Sequence, residues 1–377
     1  MHVSSLKRDL AAFAVGKALA VTALLAGLAY YFYPGHAWNY VLFTNKDAGM
    51  LLPFINWDGQ HYLLLATNGY PVPATPSSAF FPLLPALIAL GMHAGLGPIE
   101  AGLFVVTLAS AAVFLLLGCL LPQQESSPSS LWLFACFPTA FYLSVVYAES
   151  LFIALFLGLL WSLRDARRAG YAALCAAALP LAHGQGFWLA IPIAVAWAAL
   201  AVRGGRFDML DRRSLAWASL GYLVGGAAYL TFFGWRYGDA FAGIEMQKRF
   251  VFGNSLSHLF DVPRFIEFLI TPSARFFDVT NSGLDKLAIL ISLAALALGA
   301  RHSKDPFLLA SWASFAVLPA MMGAGGSYAR HALLAWLCFV LTVGPELKPW
   351  FKWPLVVLGF ASQLYLAYCF GANRWVG

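Results

Sequence analysis

Charge is what this sequence has least of. Only 11% of its 377 residues are Asp, Glu, Lys or Arg, against about a quarter in an ordinary soluble domain. Hydrophobic residues make up 61%. A chain this apolar could not cover its own surface in water, so lipid is the solvent its composition calls for. The five cysteines, Cys119, Cys136, Cys175, Cys338 and Cys369, all fall inside apolar runs and none form a CxxC pair. That spacing gives no support to a zinc site or a disulfide framework. No dense basic run carries interleaved aromatics, so nucleic acid is not an expected partner despite a net charge of +6. The sequence also lacks a DxD cluster, a repeat of 20–50 residues and a separate soluble domain. The first apolar run, from Leu10 to Tyr33, is too long for the core of a cleavable signal and reads as a spanning helix.

What is present is a succession of apolar runs. A span needs about 20 apolar residues. The candidates are 10–33, 99–121, 131–146, 149–163, 170–182, 187–202, 215–235, 286–300, 306–322, 330–345 and 353–371. One further run, 80–97, decides the topology of everything after it. If it stays on one side of the membrane, the inner loops hold Lys7 and Arg8; Arg164, Arg167 and Arg168; Arg203, Arg206, Arg212 and Arg213; Arg301 and Lys304; and Lys348 and Lys352. Those are more than half of the basic residues, in short loops beside span ends, as the positive-inside rule requires. If 80–97 crosses, the downstream loops flip outward. The charge asymmetry therefore predicts an all-α polytopic membrane protein with a single domain, 1–377, about 11 spans and an interfacial helix at 80–97. Its two long outer loops are 34–98 and 236–285. Elaborated loops are where function tends to sit, so the outer face is the place to look for a site.

Four polar constellations fall there. The first is Asn56-Trp57-Asp58-Gly59-Gln60-His61-Tyr62. Asp58 and His61 are three apart, which puts them on one face of a helix. Asp58 reads either as a chemical group at headgroup depth or as a helix cap, with Trp57 and Tyr62 as belt aromatics. The second is Tyr147-Ala148-Glu149-Ser150. A carboxylate beside apolar spans is costly and reads as functional or as an acid in the first turn of the next helix. The third is His183-Gly184-Gln185-Gly186, a polar hairpin turn or a close approach of backbone to ligand. The fourth runs from Gly323 to His331. Arg330 opens a span, where a cation opposes the helix dipole, so it requires a compensating anion from protein, lipid or substrate. The second outer loop adds Arg236, Lys248, Arg249, Arg264 and Arg275, suited to anionic headgroups of membrane lipids. The pair Gly221 and Gly225 reads as a helix-packing motif.

Trp57-Asp58-Gly59-Gln60-His61-Tyr62, then Ala66, Gly69-Tyr70 and Ala79-Phe80-Phe81-Pro82-Leu83 with Pro85, resembles the first-loop signature of the PIG-V-like mannosyltransferases. Phe137-Pro138 through Phe141-Tyr142 to Tyr147-Ala148-Glu149-Ser150-Leu151-Phe152 resembles their second signature, and Arg330-His331 lies where that family carries an arginine at a late span. The resemblance extends over about three quarters of the chain. It implies the GT-C glycosyltransferase fold, a polyprenyl-phosphate-linked sugar donor, a lipid or glycan acceptor, and transfer on the periplasmic or lumenal face. The compact length fits a prokaryotic inner-membrane member. One departure is Ala182-His183-Gly184-Gln185-Gly186, where that family would carry a Ser/Arg/Asn-type turn; it leaves the acceptor and the sugar open.

On this reading the enzyme transfers a hexose, mannose by the resemblance, from the polyprenyl phosphate with inversion, and Asp58 accepts the proton of the acceptor hydroxyl. Glu149 and His61 orient the acceptor or hold Asp58. Arg330, with His331, Lys248 and Arg249 behind it, stabilises the departing lipid phosphate. Trp57, Gln60, Tyr147, His183 and Gln185 contact acceptor or sugar. A monophosphate leaving group does not require a divalent ion, so no metal or other cofactor is expected. Two rivals stay open: a lipid or solute transporter, which should show pseudo-repeats and broken helices, and a non-catalytic subunit that only binds a lipid-linked sugar.

Overall fold

The computed structural model describes residues 3–31, 48–122, 127–202, 210–249, 255–273, 275–278, 281–323 and 327–376. The side chain of Lys7, residues Arg203 and Arg206, the loop stretch 34–47 and the glycines at 325–326 lie outside the described residues. Among the described residues every regular element is helical. Seven helices there are long and apolar enough to cross a membrane, and they coincide with the expected spans 10–33, 99–121, 187–202, 215–235, 286–300, 306–322 and 353–371. Long apolar segments become helices in lipid because only a helix satisfies its own backbone.

The other four expected spans are short. The helices over 149–163, 170–182 and 330–345 have 14, 14 and 15 residues. At 1.5 Å per residue these reach only about 21–23 Å of a hydrocarbon layer about 30 Å thick. The run 131–146 is not one helix. Its helix ends at Ala135, and a 3-10 turn follows over Ala140–Ser144. Pro138 explains the break, because it lacks an amide donor and disfavours the helical conformation at Phe137. The ambiguous run 80–97 contains an 11-residue helix, Leu83–His93, with Pro85 in its first turn. At about 16 Å it is half the length of a span.

Two compact units divide the chain. The first comprises Met1–Pro71, Pro82–Leu151 and Pro345–Val376. Its helices are α1 (Val3–Tyr31), α2 (Asp58–Asn68), α3 (Leu83–His93), α4 (Pro98–Leu120), α5 (Ser127–Ala135) and α15 (Pro349–Gly371). Helix α1 packs on α15 and α4. The second unit comprises Val72–Phe81 and Phe152–Gly344, with Gly377. It holds α7 (Ala169–Ala182), α8 (Ala190–Val202), α9 (Arg212–Tyr237), α10 (Ala242–Gln247), α11 (Val262–Ile270), α12 (Gly283–Gly299), α13 (Pro306–Gly323) and α14 (Tyr328–Thr342). Helix α6 (Glu149–Ser162) starts in the first unit and ends in the second. In the second unit α7 and α9 lie closest. A Cβ on Gly221 or Gly225 would collide with the carbonyls of Ala173 and Ala177, so this GxxxG pair lets two backbones touch.

Candidate functional site

In the first unit the two leading motifs come together. Val146 donates its N–H to the Phe54 carbonyl at 2.8 Å, aligning the two segments. A Cβ on Gly59 would stand 3.3 Å from the Val146 carbonyl, so glycine keeps that approach close. The Tyr147 hydroxyl then ties both sides of one turn. It donates to the Asn56 carbonyl at 3.0 Å and accepts the Asp58 N–H at 3.1 Å. Between those two residues Trp57 has φ 55° and ψ −116°, a conformation that is uncommon and costly for a bulky L-residue. The indole packs edge-on against Trp375, ring centres 5.1 Å apart. The Asn56 side chain donates to the Phe370 carbonyl at 2.7 Å. A strained residue is thus held from three directions, and its neighbour along the chain is Asp58, the first residue of α2.

Asp58 is half-buried, whereas Gln60 and His61 beside it are buried. Burial pushes the His61 imidazole down to about 4, against the opposing influence of the Asp58 carboxylate. His61 is therefore neutral at pH 7. Glu149 is buried at the first turn of α6, where the helix dipole favours a carboxylate. Tyr147 is 1% exposed with its hydroxyl engaged twice by backbone. Both bonds hold the turn at Trp57 from behind.

In the second unit His183 follows the end of α7. Its Nδ1 accepts the Gln185 N–H at 3.2 Å, and the Gly186 N–H closes on the His183 carbonyl at 2.8 Å. A Cβ on Gly186 would strike the Leu179 carbonyl, so the glycine serves the tight turn. Phe81 lies parallel to the His183 ring at 6.3 Å, and His331 meets it edge-on at 5.4 Å. Burial, and then Arg330, hold the His183 imidazole down to about 3. Neutral imidazoles are metal-binding forms, and ring nitrogens of His183 and His331 lie within 4.8 Å. Gln185 is 4% exposed, and neither end of its side-chain amide has a hydrogen-bond partner among the described residues. A buried amide left unsatisfied is costly and calls for a ligand or water.

Arg330 stands in the first turn of α14, half-buried. Sequence reasoning asked for an anion beside it but did not find Asp285. This residue of α12 is fully buried, accepts the Ala329 N–H at 2.7 Å, and lies close enough to Arg330 to interact electrostatically. The signal was there, an acid at the mouth of the run 286–300. Lys248 is bound to Glu245 at 2.7 Å on α10 and its turn, and both are exposed. Its charge is already compensated within the protein. Arg249 beside it is exposed. No family model matches this chain, and no curated protein matches it either.

Proposed function

We propose that this protein is a membrane glycosyltransferase that moves a hexose from a polyprenyl phosphate to a hydroxyl acceptor on the outer or lumenal face, with inversion. The observation that carries this reading is the clamped turn Asn56-Trp57-Asp58. Strain of order 1–3 kcal/mol persists only where the surroundings over-determine it, and it gathers at functional sites. Here it fixes a half-buried carboxylate at the start of a helix.

The chemistry rests on the groups present. The acceptor oxygen forms a bond to the anomeric carbon as the bond to the lipid phosphate oxygen breaks. The Asp58 carboxylate takes the acceptor's proton, and the phosphate leaves as a monoester anion. Arg330 supplies positive charge for that anion, with Arg249 secondary. Gln185 and His183 offer hydrogen-bonding groups suited to sugar hydroxyls, and Trp57 an aromatic face. His61, neutral, adds no competing cation beside Asp58. The charge asymmetry of the loops and the shortness of α3 support the outward placement.

The test is transfer of radiolabelled sugar from polyprenyl phosphate by the purified protein, wild type against Asp58→Asn. Loss of a general base costs about 10²–10⁴-fold. We expect a fall in that range with donor binding retained. Transfer by the variant at the wild-type rate would return Asp58 to a purely structural place.

A further inference from the structure

The second outer loop contains a helix that the transfer chemistry does not use. Helix α11 has the sequence Val262-Pro263-Arg264-Phe265-Ile266-Glu267-Phe268-Leu269-Ile270 and none of its residues is buried. Val262, Ile266 and Ile270 recur every four residues, so they form one stripe. All three are exposed, Ile270 at 74%, and Phe260 just before the helix reaches 89%. Exposed apolar stripes of this kind mark an interaction surface.

The segment is not loose. At its near end the turn Leu256–Phe260 is tied to α13, with the His258 Nδ1 at 3.1 Å from the Met322 carbonyl. Asp261 caps the helix by accepting the Arg264 N–H at 3.1 Å. At its far end Lys286 of α12 donates to the Thr271 carbonyl, just past the helix C-terminus. A cation there also suits the helix dipole. The same ammonium sits 4.8 Å from the centre of the Phe268 ring. These ties turn the half-buried Phe265, Phe268 and Leu269 toward α12 and α13 and leave the Val262–Ile266–Ile270 stripe facing away from them.

We infer that α11 is a bilayer-docking helix whose Val262, Ile266, Ile270 and Phe260 side chains insert among lipid chains at the outer interface. The occupant is lipid because the adjoining span α12, whose Lys286 is tied to the end of α11, also leaves large apolar side chains exposed, Leu287, Leu290 and Ile291. Asp261, Arg264 and Glu267 leave the helix with no excess of positive charge, so insertion is driven by apolar burial rather than by anionic headgroups. A cation-driven surface helix would need Lys or Arg on its polar face.

The experiment uses the unmodified full-length chain in phosphatidylcholine nanodiscs containing a phosphatidylcholine with a diazirine near the glycerol end of its acyl chain. Peptide mapping after irradiation should find adducts on 260–270 as well as on Leu287–Ile291, with yields unchanged to within about twofold when a third of the lipid is phosphatidylglycerol. Adducts on Leu287–Ile291 with none on 260–270 would overturn the inference. A fivefold rise with phosphatidylglycerol would overturn the apolar driving force. A second measurement places nitroxides at Ile266 and Glu267 in turn. Ile266 should collide preferentially with dissolved oxygen and Glu267 with a water-soluble nickel complex; equal accessibility at the two positions refutes the assigned face. Neither readout depends on sugar transfer, so the inference and the proposed activity fail separately.

Discussion

Replacing Tyr147 with Phe removes one oxygen and leaves the ring. That oxygen makes two hydrogen bonds, to the Asn56 carbonyl at 3.0 Å and from the Asp58 N–H at 3.1 Å, and the side chain is 1% exposed. Each neutral hydrogen bond contributes about 0.5–1.5 kcal/mol, and each buried backbone group left bare adds a desolvation cost. The expected loss from these alone is about 2–4 kcal/mol. A second effect opposes it. Trp57, at φ 55°, is released from a conformation that costs about 1–3 kcal/mol, and relaxation recovers part of the loss. The net destabilisation is therefore small, about 1–3 kcal/mol, whereas the displacement of Asp58 is not. A misplacement of about 1 Å at a reacting group costs on the order of 100-fold in rate. The assay is sugar transfer from polyprenyl phosphate in nanodiscs, with thermal melting alongside. We expect Tyr147→Phe to melt a few degrees lower and turn over on the order of 100-fold more slowly, with KM for donor little changed. In an Asp58→Asn background it should add almost nothing, because the two act as a unit. Wild-type turnover, or a full and independent loss on top of Asp58→Asn, would refute the clamp.

The metal-free chemistry predicts that activity survives exhaustive EDTA treatment; loss of transfer restored by Mn²⁺ or Zn²⁺ would assign His183 and His331 to a metal instead. The buried His61 gives a pH signature in stability. Its folded value of about 4 lies below the ordinary 6.5, so the unfolded chain binds the extra proton between them. Stability present above about pH 6.5 should fall by up to about 3 kcal/mol as the pH drops through 4. Melting curves of His61→Gln should lack that component, and a curve identical to wild type would count against the burial of a neutral imidazole.

What the sequence made legible was whatever depends on neighbours along the chain. Apolar runs gave the seven long spans, and the short segment behind Pro82 gave α3. Asp58 was expected at a helix start and stands there, though as the first helical residue, after Trp57 in the capping position. The break within 131–146 was also readable, because Phe137-Pro138 cannot continue a helix. Lys248 and Glu245 are three apart, a pairing a helix makes by itself. The Tyr147 clamp was not legible. Its bonds join residues about 90 apart, and no local pattern says that a tyrosine before Glu149 will reach back to a turn at Trp57. The unusual backbone of Trp57 was hidden for the same reason, since a tryptophan at positive φ contradicts its own propensity and exists only by tertiary constraint.

Arg330 shows how a correct physical demand can have two answers. A guanidinium in the first turn of α14 opposes the helix dipole and must be compensated. Asp285 meets part of that demand from within the protein, since it feels the Arg330 charge and caps the same helix through Ala329. If compensation were the whole role, Arg330→Ala would lower the melting temperature, and adding Asp285→Asn would restore both stability and transfer, because no buried acid would be left uncompensated. If Arg330 also grips the donor phosphate through its two-pronged fork, the double variant recovers stability alone. Binding then remains weaker by roughly 10–100-fold, the loss of a charge-assisted pair of hydrogen bonds, and Arg330→Lys, which keeps charge but not the fork, falls between. The measurement that separates these is the rise in melting temperature caused by saturating polyprenyl phosphate. We expect that rise to be at least halved in the double variant, and an equal rise in wild type and double variant would remove Arg330 from the donor site and leave it as the partner of Asp285.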